Sequence, residues 1–275
     1  MIRKSMPNVT RRHRPVSRVV AALVVATSLA IGIGPLHGTV HATNAPRTTS
    51  TPAAPATLLV LGDSLTWGAN YFSRLHQRLS TQGTFDIVVV DGWWSRRIGG
   101  IVSTKYSGVN TLRALRKAGV NPAAVIVGLG TNDVQFLGKP AQYAPLIEEL
   151  LTEIGPVPVA WLNVHRVETA TTTRRSRIFN RTLATVAGSH PNVTVVDWAA
   201  VVSAAPRLMA FDKIHLQPSG YEARTKLVLD VATDVWNRHA IATTPSHETS
   251  PETTMPAPTS PVPPDTSTTT VPANG

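Results

Sequence analysis

Cysteine is absent from all 275 residues. That excludes disulfides and thiolate metal sites, and it argues against a disulfide-stapled extracellular module while remaining compatible with export from a bacterium. Acids are absent from the first 18 residues, which carry Arg3, Lys4, Arg11, Arg12, Arg14 and Arg18. No apolar run after them reaches the roughly 20 residues a membrane-crossing helix needs; the stretch over 19–33 stops short. There is no internal repeat. No nucleic-acid motif accompanies the basic residues, and the paired Asp-x-His and Gly-Asn-His segments of metal-dependent phosphoesterases are missing, so neither class is expected.

What is present at the N-terminus is a charged segment, an apolar run and then Val40-His41-Ala42, a small-x-small exit. This order describes a secretory signal peptide over 1–42, with an uncleaved anchor as the alternative. Arg11-Arg12 raises a twin-arginine route, against which Pro15 stands. The expected location is outside the cell or on its envelope, with membrane contact only if the segment stays uncleaved. Residues 43–56 read as a linker and 242–275 as a Pro/Thr/Ser-rich tail that cannot bury enough surface to offset its chain entropy. The remaining segment, 57–241, is ample for one domain. Of the net charge of +10, six positive charges precede the exit site, and the domain holds 19 basic against 13 acidic residues. Such a basic surface suits an acidic wall polymer or a membrane face.

Apolar runs rich in Val, Ile and Leu recur at 57–61, 85–90, 123–129, 157–162 and 193–196. Most are continuous rather than alternating, as in strands covered on both faces of a parallel sheet. Helical spacing lies between them: Tyr71, Leu75 and Leu79; Leu112 and Leu115; Leu146, Leu150 and Ile154; Phe179, Leu183 and Val186; and a last helix over 218–238 with Leu227, Val228, Val231 and Val235 inward. Strands alternating with helices predict an α/β three-layer sandwich with about five parallel strands. Sites in such folds form beyond the carboxyl ends of the strands.

Three short segments fall there: Gly62-Asp63-Ser64-Leu65, Gly130-Thr131-Asn132-Asp133 and Asp212-Lys213-Ile214-His215. A serine hydroxyl is a poor nucleophile until a base takes its proton, and His215 is the best candidate for Ser64. Asp212 could accept the other ring N–H and fix the tautomer. Asn132 could aim its amide at a developing oxyanion, although a turn Asn beside a capping Asp133 is the plainer reading of that segment alone. Trp93 and Trp94 beside Arg96 form a candidate substrate wall, through sugar stacking or capture of an anionic group; core packing for one ring competes with that reading.

With these residues in this order, the chain resembles the SGNH (GDSL-type) hydrolases over most of 57–241, and within them exported wall-modifying acyl esterases and O-acyltransferases. Val60-Leu61-Gly62-Asp63-Ser64-Leu65 is similar to the first family block, Gly130-Thr131-Asn132-Asp133 to the third and Asp212-Lys213-Ile214-His215 to the fifth. The resemblance implies a flavodoxin-like sheet, no metal and no organic cofactor. It implies Ser64 as nucleophile, His215 as base and Asp212 as its orienting acid, with an oxyanion hole from the Ser64 N–H and the Asn132 side chain. The second block departs from the pattern: in Val90-Asp91-Gly92-Trp93-Trp94-Ser95-Arg96-Arg97, similarity puts Ser95 where the family usually has a glycine, with Gly92 as the alternative.

The expected function is serine-dependent hydrolysis or transfer of small acyl esters through an acyl-enzyme, with acetyl groups on cell-wall polysaccharide as the candidate substrate. The alternatives are a secreted lipase or lysophospholipase and an inactive wall-binding module.

Overall fold

Five strands form where the continuous apolar runs lie, because a strand buried on both faces needs Val, Ile and Leu at successive positions. In the computed structural model, which describes residues 54–243, these are β1 (Thr57–Gly62), β2 (Ile87–Gly92), β3 (Ala124–Gly128), β4 (Val159–Leu162) and β5 (Val193–Val196). The leader and nearly all of the linker and tail lie outside the described residues. All neighbouring pairs are parallel and the spatial order is β2-β1-β3-β4-β5. This is the doubly wound, flavodoxin-like order, whose direction reverses between β1 and β3.

Alternation along each strand divides the core in two. Leu59, Leu61, Val125, Val127 and Trp161 face α3 (Gly108–Lys117), α4 (Pro140–Ile154) and α5 (Ala170–Ala187). Leu58, Val60, Ala124, Ile126 and Leu162 face α1 (Ser64–Ser73), α2 (Leu75–Gln82), α6 (Trp198–Ala204) and α7 (Pro218–Thr243). The three-layer sandwich is therefore as expected.

One helix differs from the sequence reading. The Tyr71, Leu75, Leu79 spacing predicts a continuous helix, but the chain breaks at Arg74, which adopts a left-handed conformation (φ 53°) and donates its N–H to Ala69 O. Leu75 and Leu79 point into the core from α2, whereas Tyr71 stays on α1 and is exposed. Spacing alone does not register a one-residue change of direction.

The feature that positions the site is a row of glycines. Gly62, Gly92 and Gly128 sit in register at the ends of β1, β2 and β3. A Cβ at Gly62 would fall 1.9 Å from Thr66 Oγ1, one at Gly92 2.4 Å from the Trp67 backbone nitrogen, and one at Gly128 2.9 Å from Thr66 Oγ1 and Arg224 Nη2. The first turn of α1 thus rests directly on the sheet's carboxyl rim, in space that side chains would otherwise fill.

Because the atom facing Gly92 belongs to the backbone, Gly92→Ala cannot be absorbed by a rotamer change. The expected loss is about 1–3 kcal/mol, the usual range for overpacking, read from urea unfolding. Unchanged stability would show that α1 can lift from the rim at little cost.

Candidate active site

Ser64 is the first residue of α1. Asp63 caps the helix, its Oδ1 accepting the Leu65 N–H at 2.9 Å. The Ser64 N–H therefore sits among the unpaired donors of a helix start, where the dipole favours negative charge. Burial pushes the Asp63 carboxyl above its ordinary value, against the pull of the Arg224 guanidinium and the Leu65 N–H bond.

His215 and Asp212 come from the long connection between β5 and α7. That loop is pinned at its base by pairing of Met209 with Leu216 and by Ala210 N–H donating to His215 O at 2.8 Å. Between them, Lys213 takes a left-handed conformation (φ 55°), which turns the chain back on itself. Asp212 Oδ1 accepts the Ile214 and His215 N–H groups at 3.0 and 2.9 Å, and Oδ2 lies 2.6 Å from His215 Nδ1. A carboxylate only accepts, so Nδ1 carries the ring proton and Nε2 offers its lone pair to Ser64 Oγ, 3.0 Å away. Burial of Asp212 opposes its ionisation, but the bonds from the His215 ring and the two N–H groups outweigh it and hold the carboxyl below its ordinary value. It is thus kept as an acceptor.

Asn132, in the loop after β3, donates from Nδ2 to Arg96 O at 2.9 Å. An amide nitrogen has two hydrogens, so one remains for the cleft. Ser95 adopts a left-handed conformation (φ 54°), a backbone usually assigned to glycine, and no bond to its own N–H is made within the described residues. Ser64, Ser95, Asn132 and His215 all line one cleft of about 350 Å³, together with Trp94, Gln135, Arg166 and Ile214. Gly92 is not on that surface; it ends β2 beneath α1. Of Ser95 and Gly92, Ser95 is the one that lines the cleft.

The candidate wall needs correction. Of Trp93, Trp94 and Arg96, only Trp94 lines the Ser64 cleft. Arg96 is buried, and its guanidinium donates to Lys105 O, Gly62 O and Asp91 O and pairs with Asp91 Oδ1 at 2.7 Å. It ties the β2 loop to the ends of β1 and β2, buried away from the Ser64 cleft. Trp93 turns to a separate cleft, with Lys105 Nζ 5.1 Å from its ring centroid. Its ring still stacks on that of Trp94, with centroids 5.7 Å apart, so the two indoles lie side by side while lining different clefts.

Sequence reasoning passed over Gln135 and Arg166. Arg166 donates from Nη1 to Thr131 O at 3.0 Å and pairs through Nε with Glu168 at 2.6 Å, bracing the loop that carries Asn132. Its signal was its place just beyond the carboxyl end of β4. Among the described residues, no cluster of three or more His, Asp and Glu side chains is arranged to hold a metal ion.

A family model described as the GDSL-like Lipase/Acylhydrolase family matches residues 60–223. Among solved structures, the chain is similar to a lipase/acylhydrolase from Enterococcus faecalis, with TM-score 0.54 and 18% identity over 66% of this chain and 96% of that one. It is similar to a carbohydrate acetylesterase family member from Sinorhizobium meliloti, with TM-score 0.51 and 15% identity over 66% of this chain and 99% of that one. At these identities the likeness is one of fold. No curated protein matches the chain in sequence.

Asp133, next to Asn132, is buried with its carboxylate facing the Ile98 N–H at 3.2 and 3.3 Å. Burial pushes its pKa from 3.8 up to about 7, despite that bond and the nearby Arg97. Between those values the folded protein holds a proton that the unfolded chain has released, so stability falls as pH rises through this window. The loss is on the order of 4 kcal/mol for a shift of about three units. Asp133→Asn keeps an acceptor for Ile98 and should flatten that decline in urea unfolding between about pH 4 and 8. An unchanged decline would place the titration elsewhere.

Proposed function

The chain belongs to the GDSL-like lipase/acylhydrolase family, and on that premise we propose that it hydrolyses or transfers small acyl esters through a Ser64 acyl-enzyme, with acetyl groups on an exported cell-wall glycan as substrate. As a family member it is a serine ester hydrolase. The observation that carries the residue roles is the continuous relay from Ser64 Oγ to His215 Nε2 at 3.0 Å and from His215 Nδ1 to Asp212 at 2.6 Å.

In this reading His215 Nε2 takes the Ser64 proton as Oγ bonds to the ester carbonyl carbon. The carbonyl oxygen becomes an oxyanion, met by the Ser64 and Ser95 N–H groups and the free hydrogen of Asn132 Nδ2. As the tetrahedral centre collapses, the C–O bond to the leaving alcohol breaks and the alcohol takes the proton from His215. Water or a sugar hydroxyl then gives its proton to His215 and attacks the acyl carbon, and the bond from that carbon to Ser64 Oγ breaks as Oγ takes the proton back from His215. Asp212 stabilises the imidazolium throughout and stays ionised. No metal or organic cofactor has a part in these steps.

The small acyl group is supported by the modest cleft at Ser64. The glycan is supported by the N-terminal export signal, by the basic balance of the domain and by similarity of the Asp91 to Arg97 segment to wall-modifying members. A second reading, a lipase or lysophospholipase, has one observation in its favour. An apolar cleft of about 660 Å³ that includes Val202, Met209 and Phe211 adjoins the Asp212 loop and could take an acyl chain.

A chain-length series of nitrophenyl esters separates these readings: acetyl preference is expected, and preference for long chains would favour the lipase. Ser64→Ala should lower turnover roughly a million-fold, and Asn132→Ala about 100–1,000-fold in kcat. Full activity in Ser64→Ala would sink the mechanism.

A further inference from the structure

The chain is poor in aromatic residues, at 5%, yet a connected group of rings begins at the Ser64 cleft and runs outward along α1. Trp94, which lines the cleft, meets Trp67 edge to face, with centroids 5.5 Å apart. Trp67 stacks on Tyr71 at 5.0 Å with planes only 8° apart. Phe72 braces Tyr71 at 5.0 Å from the side and itself stacks on Tyr221 at 5.1 Å. Ser64, Trp67 and Tyr71 are spaced i, i+3, i+7, so they share one face of α1. The outer members remain in water: Tyr71 is 68% exposed, Phe72 55% and Trp94 54%.

Core packing does not explain this arrangement. The break at Arg74 turns α1 away from α2 and leaves Tyr71 and Phe72 outside the core that Leu75 and Leu79 enter. Exposed rings carry no advantage for a solitary soluble domain, but a braced ring presents a flat apolar face at little entropic cost on binding. The segments 64–82 and 92–107 carry Arg74, Arg78, Arg96, Arg97 and Lys105 and no Asp or Glu, and of these Arg78 pairs with Glu222 and Arg96 with Asp91.

We infer that the exposed rings of Trp94 and Tyr71, held in place by Trp67 between them, form a stacking platform for a polysaccharide chain, holding the sugars next to the one whose ester lies at Ser64. The inference rests on the wall-glycan reading above for its ligand. A pyranose ring packs its axial C–H groups against a rigid aromatic face and keeps its hydroxyls at the rim for water or for Asn70 and Arg74. A row of rings leading out from the nucleophile fits a chain that continues beyond the reacting unit. Trp and Tyr also populate bilayer interfaces; what favours a polysaccharide is that the rings are continuous with the Ser64 cleft, which Trp94 lines.

The test compares wild type, Tyr71→Ala and Tyr71→Trp, each as the full chain. The readouts are cosedimentation with purified O-acetylated peptidoglycan sacculi, acetate release from them, and turnover of nitrophenyl acetate. Tyr71→Ala is expected to weaken sacculus binding about tenfold, equivalent to about 1.4 kcal/mol. Nitrophenyl acetate turnover should be unchanged, which also reports an intact fold, and Tyr71→Trp should bind as wild type does. Equal sacculus binding by wild type and Tyr71→Ala overturns the platform. So does loss of binding to phosphatidylglycerol vesicles in Tyr71→Ala with sacculus binding retained, which assigns the rings to a lipid surface. Tyr71-dependent sacculus binding without acetate release supports the platform and overturns the wall-acetyl reading instead.

Discussion

The seating of α1 on the sheet is the constraint from which the site follows. A helix packed on a sheet face normally stands off by the depth of the side chains between them. Here the strand ends offer glycine at three neighbouring positions, and Thr66 and Trp67 occupy the space. The helix start is thereby lowered onto the carboxyl rim at the point where the strand order reverses, so Ser64 stands where chain from β1 and β3 converges. The Ser64 hydroxyl, its N–H and the positive end of the helix dipole are delivered together by that one contact.

Around this fixed point the other groups are held by hydrogen bonds rather than by apolar packing. Asp212 gathers three hydrogen bonds, two from backbone and one from the His215 ring, so the base and its orienting acid form a unit that the pinned loop brings to Ser64 as a whole. Arg96 does similar work on the other side. Its guanidinium joins three backbone carbonyls and Asp91, while its own carbonyl receives the Asn132 amide. The loops that carry Ser95 and Asn132 are thus tied to each other through one buried residue. A buried charge is tolerable where it is paired and hydrogen-bonded, as four bonds from this guanidinium provide.

Asp63 and Asp133 lie beneath these loops as buried carboxylates, both pushed upward by burial. Asp63 accepts the Leu65 N–H and so anchors the turn that presents its neighbour Ser64. Asp133 accepts the Ile98 N–H from a different loop, joining the segment of Asn132 to the end of the β2 loop.

Local pattern was enough to place the sheet, the sandwich and the residues that meet at its carboxyl rim. Continuous apolar runs are a consequence of double-sided burial, and a strand's end fixes where a following Ser, Asn or His can emerge, so Ser64, Asn132, Asp212 and His215 were legible from local pattern. Tertiary structure decided everything that depends on direction. Arg96 and Trp94 are two residues apart, yet one is buried and the other faces the cleft, because Ser95 turns the chain between them. Tyr71 keeps helical spacing with Leu75, yet a left-handed Arg74 sends it to the surface. Gln135 and Arg166 reach the cleft from loops whose meeting no local pattern encodes. Periodicity reports which residues are buried along an element, whereas a side chain's aim after a single change in φ is set by contacts between distant segments.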